Sequence, residues 1–209
     1  INQPDIGQTL LIVFTYGVMI FISGINLIFL TTAFLAAVGF VISIVYLFPN
    51  KFGYILSRIQ SFFDPNKGDS FQSQTALDAI KQGGLTGQGM GEGILKEKVP
   101  EAHTDYIIAV ISEEFGTILI FLIIAAFIFI AIKVVNKVIE TEDEFIKLSL
   151  MGLMSMLVFQ ALIHIGVNIR FLPTTGMTLP FLSYGGSSLL GSSLIAGMIL
   201  NFTKKTNYN

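Results

Sequence analysis

The sequence predicts an all-α membrane protein: a polytopic helical bundle of five transmembrane helices with one large extracellular loop. Three observations carry this. Hydrophobic residues make up 53% of the 209-residue chain and charged ones only 12%, with mean hydropathy +0.74; soluble domains carry about 25% charged residues. Five apolar runs each lie near the roughly 20 residues needed to cross the hydrocarbon core. The charge is also concentrated between runs. Residues 51–114 hold six of the 12 basic residues (Lys51, Arg58, Lys67, Lys81, Lys96, Lys98) and nine of the 14 acids (Asp64, Asp69, Asp78, Glu92, Glu97, Glu101, Asp105, Glu113, Glu114). A net charge of −2 gives nucleic-acid binding no electrostatic support. The lack of cysteine excludes a disulfide framework and thiolate chemistry. The chain opens Ile1–Asn2–Gln3–Pro4 without an initiator methionine, as expected of a segment from within a longer protein.

The first two spans, about 6–23 and 27–48, carry no charge and are separated by Gly24–Ile25–Asn26. So short a break predicts an antiparallel helical hairpin. The polar excursion, about 49–114, begins after Pro49. Tyr54–Phe63 reads as a short amphipathic helix ended by Asp64–Pro65–Asn66, and Gln72–Gln82 as another. The glycine run from Gly83 to Gly93 contains Gly87-x-Gly89-x-Gly91 but lacks the flanking strand and helix of a dinucleotide site. It reads as a tight turn, or as a cradle of backbone N–H groups facing an anion such as a pyrophosphate.

The third span is about 115–132. The mixed charges from Lys133 to Lys147 predict a solvated face. The fourth span, about 148–169, sets Gln160, His164 and Asn168 at successive i, i+4 positions, a polar stripe on an apolar helix. Such groups face a bundle interior. The stripe reads as interhelical hydrogen bonding or as the lining of a substrate path. The fifth span, about 180–202, carries the small-xxx-small pairs Ser187/Gly191, Ser188/Ser192 and Ser193/Gly197, which allow close helix packing.

Lys133, Lys137 and Lys147 follow span three, Lys204 and Lys205 lie in the tail, and only Arg170 follows span four. The positive-inside rule therefore sets the tail in the cytoplasm and the excursion outside. Within the excursion, Val99–Asp105 and Glu113–Glu114 gather Glu101, Asp105, Glu113, Glu114 and His103. Four ionised carboxylates at a bilayer centre would cost roughly 10 kcal/mol, at about 2.5–3.5 kcal/mol each. They are expected at the membrane surface or in a watery cavity. If 105–112 is helical, Asp105, Ala109 and Ser112 share one face, with Glu113 a quarter turn away. A carboxylate there can act as a general base or bind a divalent cation. No histidine–cysteine metal cluster and no G-x-S-x-G elbow is present.

Longer motifs say more. Pro100–Glu101–Ala102–His103–Thr104–Asp105–Tyr106–Ile107 with Glu113–Glu114–Phe115–Gly116, and Leu172–Ser188, resemble the signatures of the SEDS family, the FtsW, RodA and SpoVE proteins. Gln3–Gly7, Arg58 with Phe62–Pro65, and the glycine run also match in order. Thr174–Leu182 looks more like the division type than the elongation type. The resemblance implies the last five of about ten transmembrane helices. It implies a glycosyltransferase that polymerises lipid II into peptidoglycan on the outer face of the bacterial plasma membrane, at the septum. Implied partners are a class B penicillin-binding protein transpeptidase, other divisome membrane proteins and membrane lipid. The family's essential aspartate maps onto Asp105, which would deprotonate the acceptor 4-hydroxyl or position a divalent cation, Mg or Mn. Arg58, Lys96 and Arg170 are the candidates to neutralise the pyrophosphate leaving group. Gln72, Glu101, His103, Thr104, Glu114, Ser183, Tyr184, Gly185 and Gly186 complete the implied substrate site. Tyr106 stands where phenylalanine is common. The segment alone is not expected to be active. Two other classes remain: a lipid II flippase using the polar stripe, and a non-catalytic scaffold that recruits the transpeptidase.

Overall fold

The computed structural model describes residues 5–63 and 69–204. Among them the chain forms eight α-helices, one short 3-10 turn and no strand. The helices are α1 (Ile6–Ile22), α2 (Leu27–Leu47), α3 (Pro49–Phe63), α4 (Asp69–Gly83), α5 (Ile107–Phe115), α6 (Thr117–Glu140), α7 (Glu144–Asn168) and α8 (Gly186–Thr203), with the 3-10 turn at Leu95–Lys98. Four of them, α2, α6, α7 and α8, are long and apolar enough to cross a membrane, and α1 is a shorter apolar helix. The protein is a multi-pass membrane protein. The expected break at Asp64–Pro65–Asn66 lies outside the described residues.

Local chemistry sets the ends. The Asp5 carboxylate accepts from the Gln8 N–H at 3.0 Å, starting α1. Gly24, at φ +83°, takes the left-handed turn between α1 and α2, and the Asn26 side chain accepts from the Ile28 N–H at 3.0 Å. Asp143 caps α7 through the Phe145 and Ile146 N–H groups.

Three differences from the sequence reading have physical causes. The stretch 133–147 is helical almost throughout, because only 141–143 join α6 to α7. At 1.5 Å per residue the 24-residue α6 is about 36 Å long, so its charged end projects beyond a roughly 30 Å core. Second, the third span begins at Thr117, not 115, because Gly116 at φ +81° ends α5 and re-aims the chain. Third, α8 begins at Gly186 rather than near 180. Phe181 at φ +66° and the Ser183 hydrogen bonds hold the preceding residues in turns.

The centre of the bundle is α7, which packs against α1, α4, α5, α6 and α8. Its Glu144 end contributes Leu150, Met154 and Leu157 to a core shared with Val134 of α6 and Ile195 and Ile199 of α8. Its Asn168 end contributes Ile163 and Val167 to a second core with Ala76, Ala109, Tyr106 and Met177. In lipid the first core gains little from the hydrophobic effect, because acyl chains are as apolar as leucine; close packing holds it instead. The second core supports the loops that carry the site.

Candidate active site

Asp105 sits on a tight turn just before α5. The Glu101 carbonyl accepts from the N–H groups of Thr104 at 3.1 Å, Asp105 at 3.0 Å and Tyr106 at 3.3 Å. Glu101 itself takes φ +55°, an uncommon conformation for a residue with a side chain. The helix begins only at Ile107, so Asp105 does not share a helical face with Ala109 and Ser112 as the sequence suggested. Those two are wholly buried. Asp105 is half-buried, and burial holds its carboxyl above the ordinary value of 3.8, with the neighbouring Glu101 carboxylate adding to the effect. The Arg58 guanidinium and the Thr104 hydroxyl act the other way. That hydroxyl has one proton and two acids within reach, Asp105 and Glu101, whose Oε2 lies at 2.9 Å.

The second wall is the segment 172–185. Gly176, at φ +71°, lies where a Cβ would come 3.7 Å from Asp105 Oδ2. Ser183 Oγ donates to the Thr104 carbonyl at 2.6 Å and accepts from the Leu179 N–H at 2.8 Å. The Tyr184 N–H donates to the His103 carbonyl at 2.9 Å. These bonds join the two long sequence motifs directly. Arg58 Nη1 reaches in from α3 to donate to the Thr174 carbonyl at 3.2 Å, beside the acid.

The polar stripe of α7 holds both walls. Gln160 Nε2 donates to the Thr178 carbonyl at 2.9 Å, and His164 Nδ1 donates to the Met177 carbonyl at 2.7 Å. Asn168 Nδ2 donates to the Asp105 carbonyl at 2.9 Å. The stripe thus bonds to loops rather than to other membrane helices or an open path.

The glycine run works by close approach. A Cβ on Gly83 would sit 1.9 Å from the Ser112 carbonyl oxygen, and one on Gly87 would sit 2.2 Å from that of Glu114. The Gln88 and Gly89 N–H groups donate to the Glu113 and Glu114 carbonyls at 2.9 and 3.0 Å. Of the two readings of this run, the tight turn fits its positive-φ glycines, and the backbone N–H groups of Gln88 and Gly89 are taken up within the chain. The Gly91 N–H donates to Glu114 Oε1 at 3.2 Å, so the anion it faces is the chain's own. Glu113, expected near water, is wholly buried, and its two oxygens accept from the Leu95 and Lys96 N–H groups at 2.8 Å each. Gly93 leaves it room, since a Cβ there would lie 2.8 Å from the carboxyl carbon. Two backbone donors offset the cost of burying this charge.

The other candidates divide. Lys96 forms an ion pair with Glu114. Both line a cavity of about 490 Å3 with exposed His103 and the apolar Ile107, Val110, Ile111 and Phe115. Arg170 donates to Gln74 on α4. Gln72 is half-buried on α4, Tyr184 and Gly186 are exposed, and Gly185 stands at the N-cap of α8. Asp105, Glu101, Thr104, His103, Ser183 and Tyr184 come together with Arg58 beside them, whereas Arg170 and Gln72 are not joined to this cluster by any bond described. Among the described residues no three His, Asp or Glu side chains converge as a metal cage. The site can hold a proton on a half-buried carboxylate and present one guanidinium beside it. The sequence reading left Asn168 out of the site, with its place on the stripe as the available signal, and grouped Glu113 with the acids, where the structure buries it.

Comparison with known proteins identifies the family. The family model described as "Cell cycle protein" (FtsW, RodA, SpoVE) matches residues 1–208. The chain is 38% identical to the probable peptidoglycan glycosyltransferase FtsW of Caulobacter vibrioides over 97% of its own length and 51% of the relative's. It is 36% identical to that of Trichlorobacter lovleyi, covering 97% and 53%, and 35% identical to that of Escherichia coli O6:H1, covering 98% and 50%. The chain thus spans about half the length of the curated relatives it matches. A chain from a solved peptidoglycan synthase complex, described as coordinating polymerization and crosslinking, superposes with TM-score 0.74 at 26% identity, covering 95% of this chain and 56% of that one. The chain belongs to the FtsW/RodA/SpoVE family of cell cycle proteins.

Proposed function

We propose that the protein carrying this segment is a peptidoglycan glycosyltransferase that polymerises lipid II at the outer face of the bacterial plasma membrane, in septal wall synthesis, with its C-terminus in the cytoplasm. The observation that carries this is Asp105: half-buried, with a raised pKa, and framed by both family motifs. A carboxylate with a raised pKa is a stronger base. Asp105 takes the proton of the acceptor sugar's 4-hydroxyl as that oxygen bonds to the donor's anomeric carbon. The bond from that carbon to the pyrophosphate breaks, and undecaprenyl pyrophosphate leaves with the electron pair. Arg58 is the cation best placed to offset the charge developing on it. Lys96 already faces Glu114 and Arg170 faces Gln74.

A divalent cation, Mg or Mn, suits Asp105 with Glu101, since Mg2+ is commonly held by one or two carboxylates together with substrate phosphates. It would supply further neutralisation of the pyrophosphate. A class B penicillin-binding protein is the partner consistent with the family's solved complex, alongside other divisome proteins. The flippase reading has less support, because Gln160, His164 and Asn168 are buried and bonded to loops. The test uses the full-length protein with its partner and lipid II. Asp105→Asn and Asp105→Ala are expected to lose polymer while folding and partner binding persist. Continued polymerisation by either variant overturns the assignment; a pure scaffold would tolerate both.

A further inference from the structure

Asn168 is the last residue of α7 and is wholly buried. Its Nδ2 donates to the carbonyls of Asp105 and His164, both at 2.9 Å. Its Oδ1 accepts from the Ala109 N–H at 3.2 Å. Only this orientation of the amide works: turning it over would set an oxygen against two carbonyls and a donor against an N–H. Asp105 and Ala109 bracket the first turn of α5, so one side chain grips the peptide that bears the acid and the helix start behind it.

One and two turns further along the same face of α7, His164 and Gln160 hold the carbonyls of Met177 and Thr178. The residue before Met177 is Gly176, where a Cβ would come 3.7 Å from Asp105 Oδ2. Both walls are therefore fastened to one rigid helix at a spacing of four residues. The distance across the site is set by α7, not by the loops.

We propose that Asn168 is a positioning residue for Asp105: it touches no substrate, and fixes where the carboxylate stands relative to the Gly176 wall. This rests on the reading of Asp105 as the base. An apolar replacement takes the amide donor away from the Asp105 carbonyl, while the Ala109 N–H keeps the Tyr106 carbonyl at 2.9 Å; Asn168→Asp keeps the shape and one acceptor but, when ionised, cannot donate to the Asp105 carbonyl.

The experiment uses the full-length protein with its partner. Lipid II polymerisation by Asn168→Leu and Asn168→Asp is followed across pH, together with thermal unfolding and partner binding. A misplaced base is expected to lower kcat about 100-fold, with KM within about threefold of wild type. For Asn168→Asp the loss deepens as pH rises and the introduced acid ionises. The second readout needs no activity. These residues contain no cysteine; in a full-length protein and partner freed of other thiols, Asp105→Cys and His103→Cys report locally. The alkylation rate at 105 is expected to change about tenfold or more on Asn168→Asp, and at 103 to stay constant, since a shifted peptide changes reactivity where it lies. Wild-type kcat in both Asn168 variants, or an unchanged rate at 105, overturns the proposal. So does a loss of activity that only tracks unfolding. If the unmodified protein forms no polymer, the glycosyltransferase reading fails, and the alkylation rates still decide the positioning role.

Discussion

Replacing Glu113 by alanine is expected to release the glycine-run loop while leaving the membrane helices in place. The carboxylate is wholly buried, and its two oxygens accept from the Leu95 and Lys96 N–H groups at 2.8 Å each. Hydrogen bonds to a charged group contribute about 1.5–3 kcal/mol each, so losing both costs about 3–6 kcal/mol. Local opening that exposes these amides should then become at least about 100-fold more frequent, at 1.4 kcal/mol per factor of ten. Glu113→Gln keeps one acceptor and turns a donor toward the other N–H, so it is expected to fall between wild type and Glu113→Ala. Hydrogen exchange at the Leu95 and Lys96 amides measures this, with the amides of Leu150 to Leu157 in α7 as an internal standard. Unchanged protection at 95 and 96 in Glu113→Ala would refute the reasoning. Equal loss of protection in α7 would show that the carboxylate supports the whole bundle instead of the loop.

Other expectations follow from the same geometry. Glu101→Gln removes a charge that raises the Asp105 pKa, so the acid limb of the pH–rate profile should move down; Arg58→Gln removes one that lowers it, so the limb should move up. A shift in the opposite direction in either variant would contradict that residue's assignment. Because Asp105 binds its proton more tightly folded than unfolded, its contribution to stability is present below 3.8 and is lost as pH rises through the raised folded value. Asp105→Asn should flatten that dependence in thermal unfolding. Gly83→Ala would put a Cβ 1.9 Å from the Ser112 carbonyl oxygen, a backbone atom no rotamer change can clear, and is expected to cost about 3 kcal/mol or more in stability. Unaltered unfolding of that variant would mean that α4 and α5 can part freely.

The membrane class and the five apolar helices were legible because apolar runs of spanning length admit few other structures. Motif resemblance located Asp105, and the structure joins its motif to the second through Ser183 and Tyr184. What sequence periodicity could not reveal was determined by contacts distant in the chain. The Asp105 turn looked helical, yet the Glu101 carbonyl gathers three amides and delays α5 to Ile107. The glycine run read as a tight turn or an anion cradle; it turns through Gly84, Gly87, Gly89 and Gly91 at positive φ, and at Gly83 and Gly87 the space of the missing side chains is taken by backbone of residues 112–116. Glu113 looked like part of a watery acidic cluster, yet its partners are amides 17 and 18 residues earlier in the chain. The stripe on α7 was visible at i, i+4 spacing, but which loops it bonds depends on packing that spacing does not encode.

The most direct check on the central claim is the sidedness of residue 105. A thiol introduced by Asp105→Cys, in the full-length protein in intact inner-membrane vesicles or cells, should react with a membrane-impermeant maleimide from the outer side. Added lipid II should slow that reaction. Labelling only from the cytoplasmic side, or no labelling from either, would contradict an outward-facing acid that meets an anchored sugar.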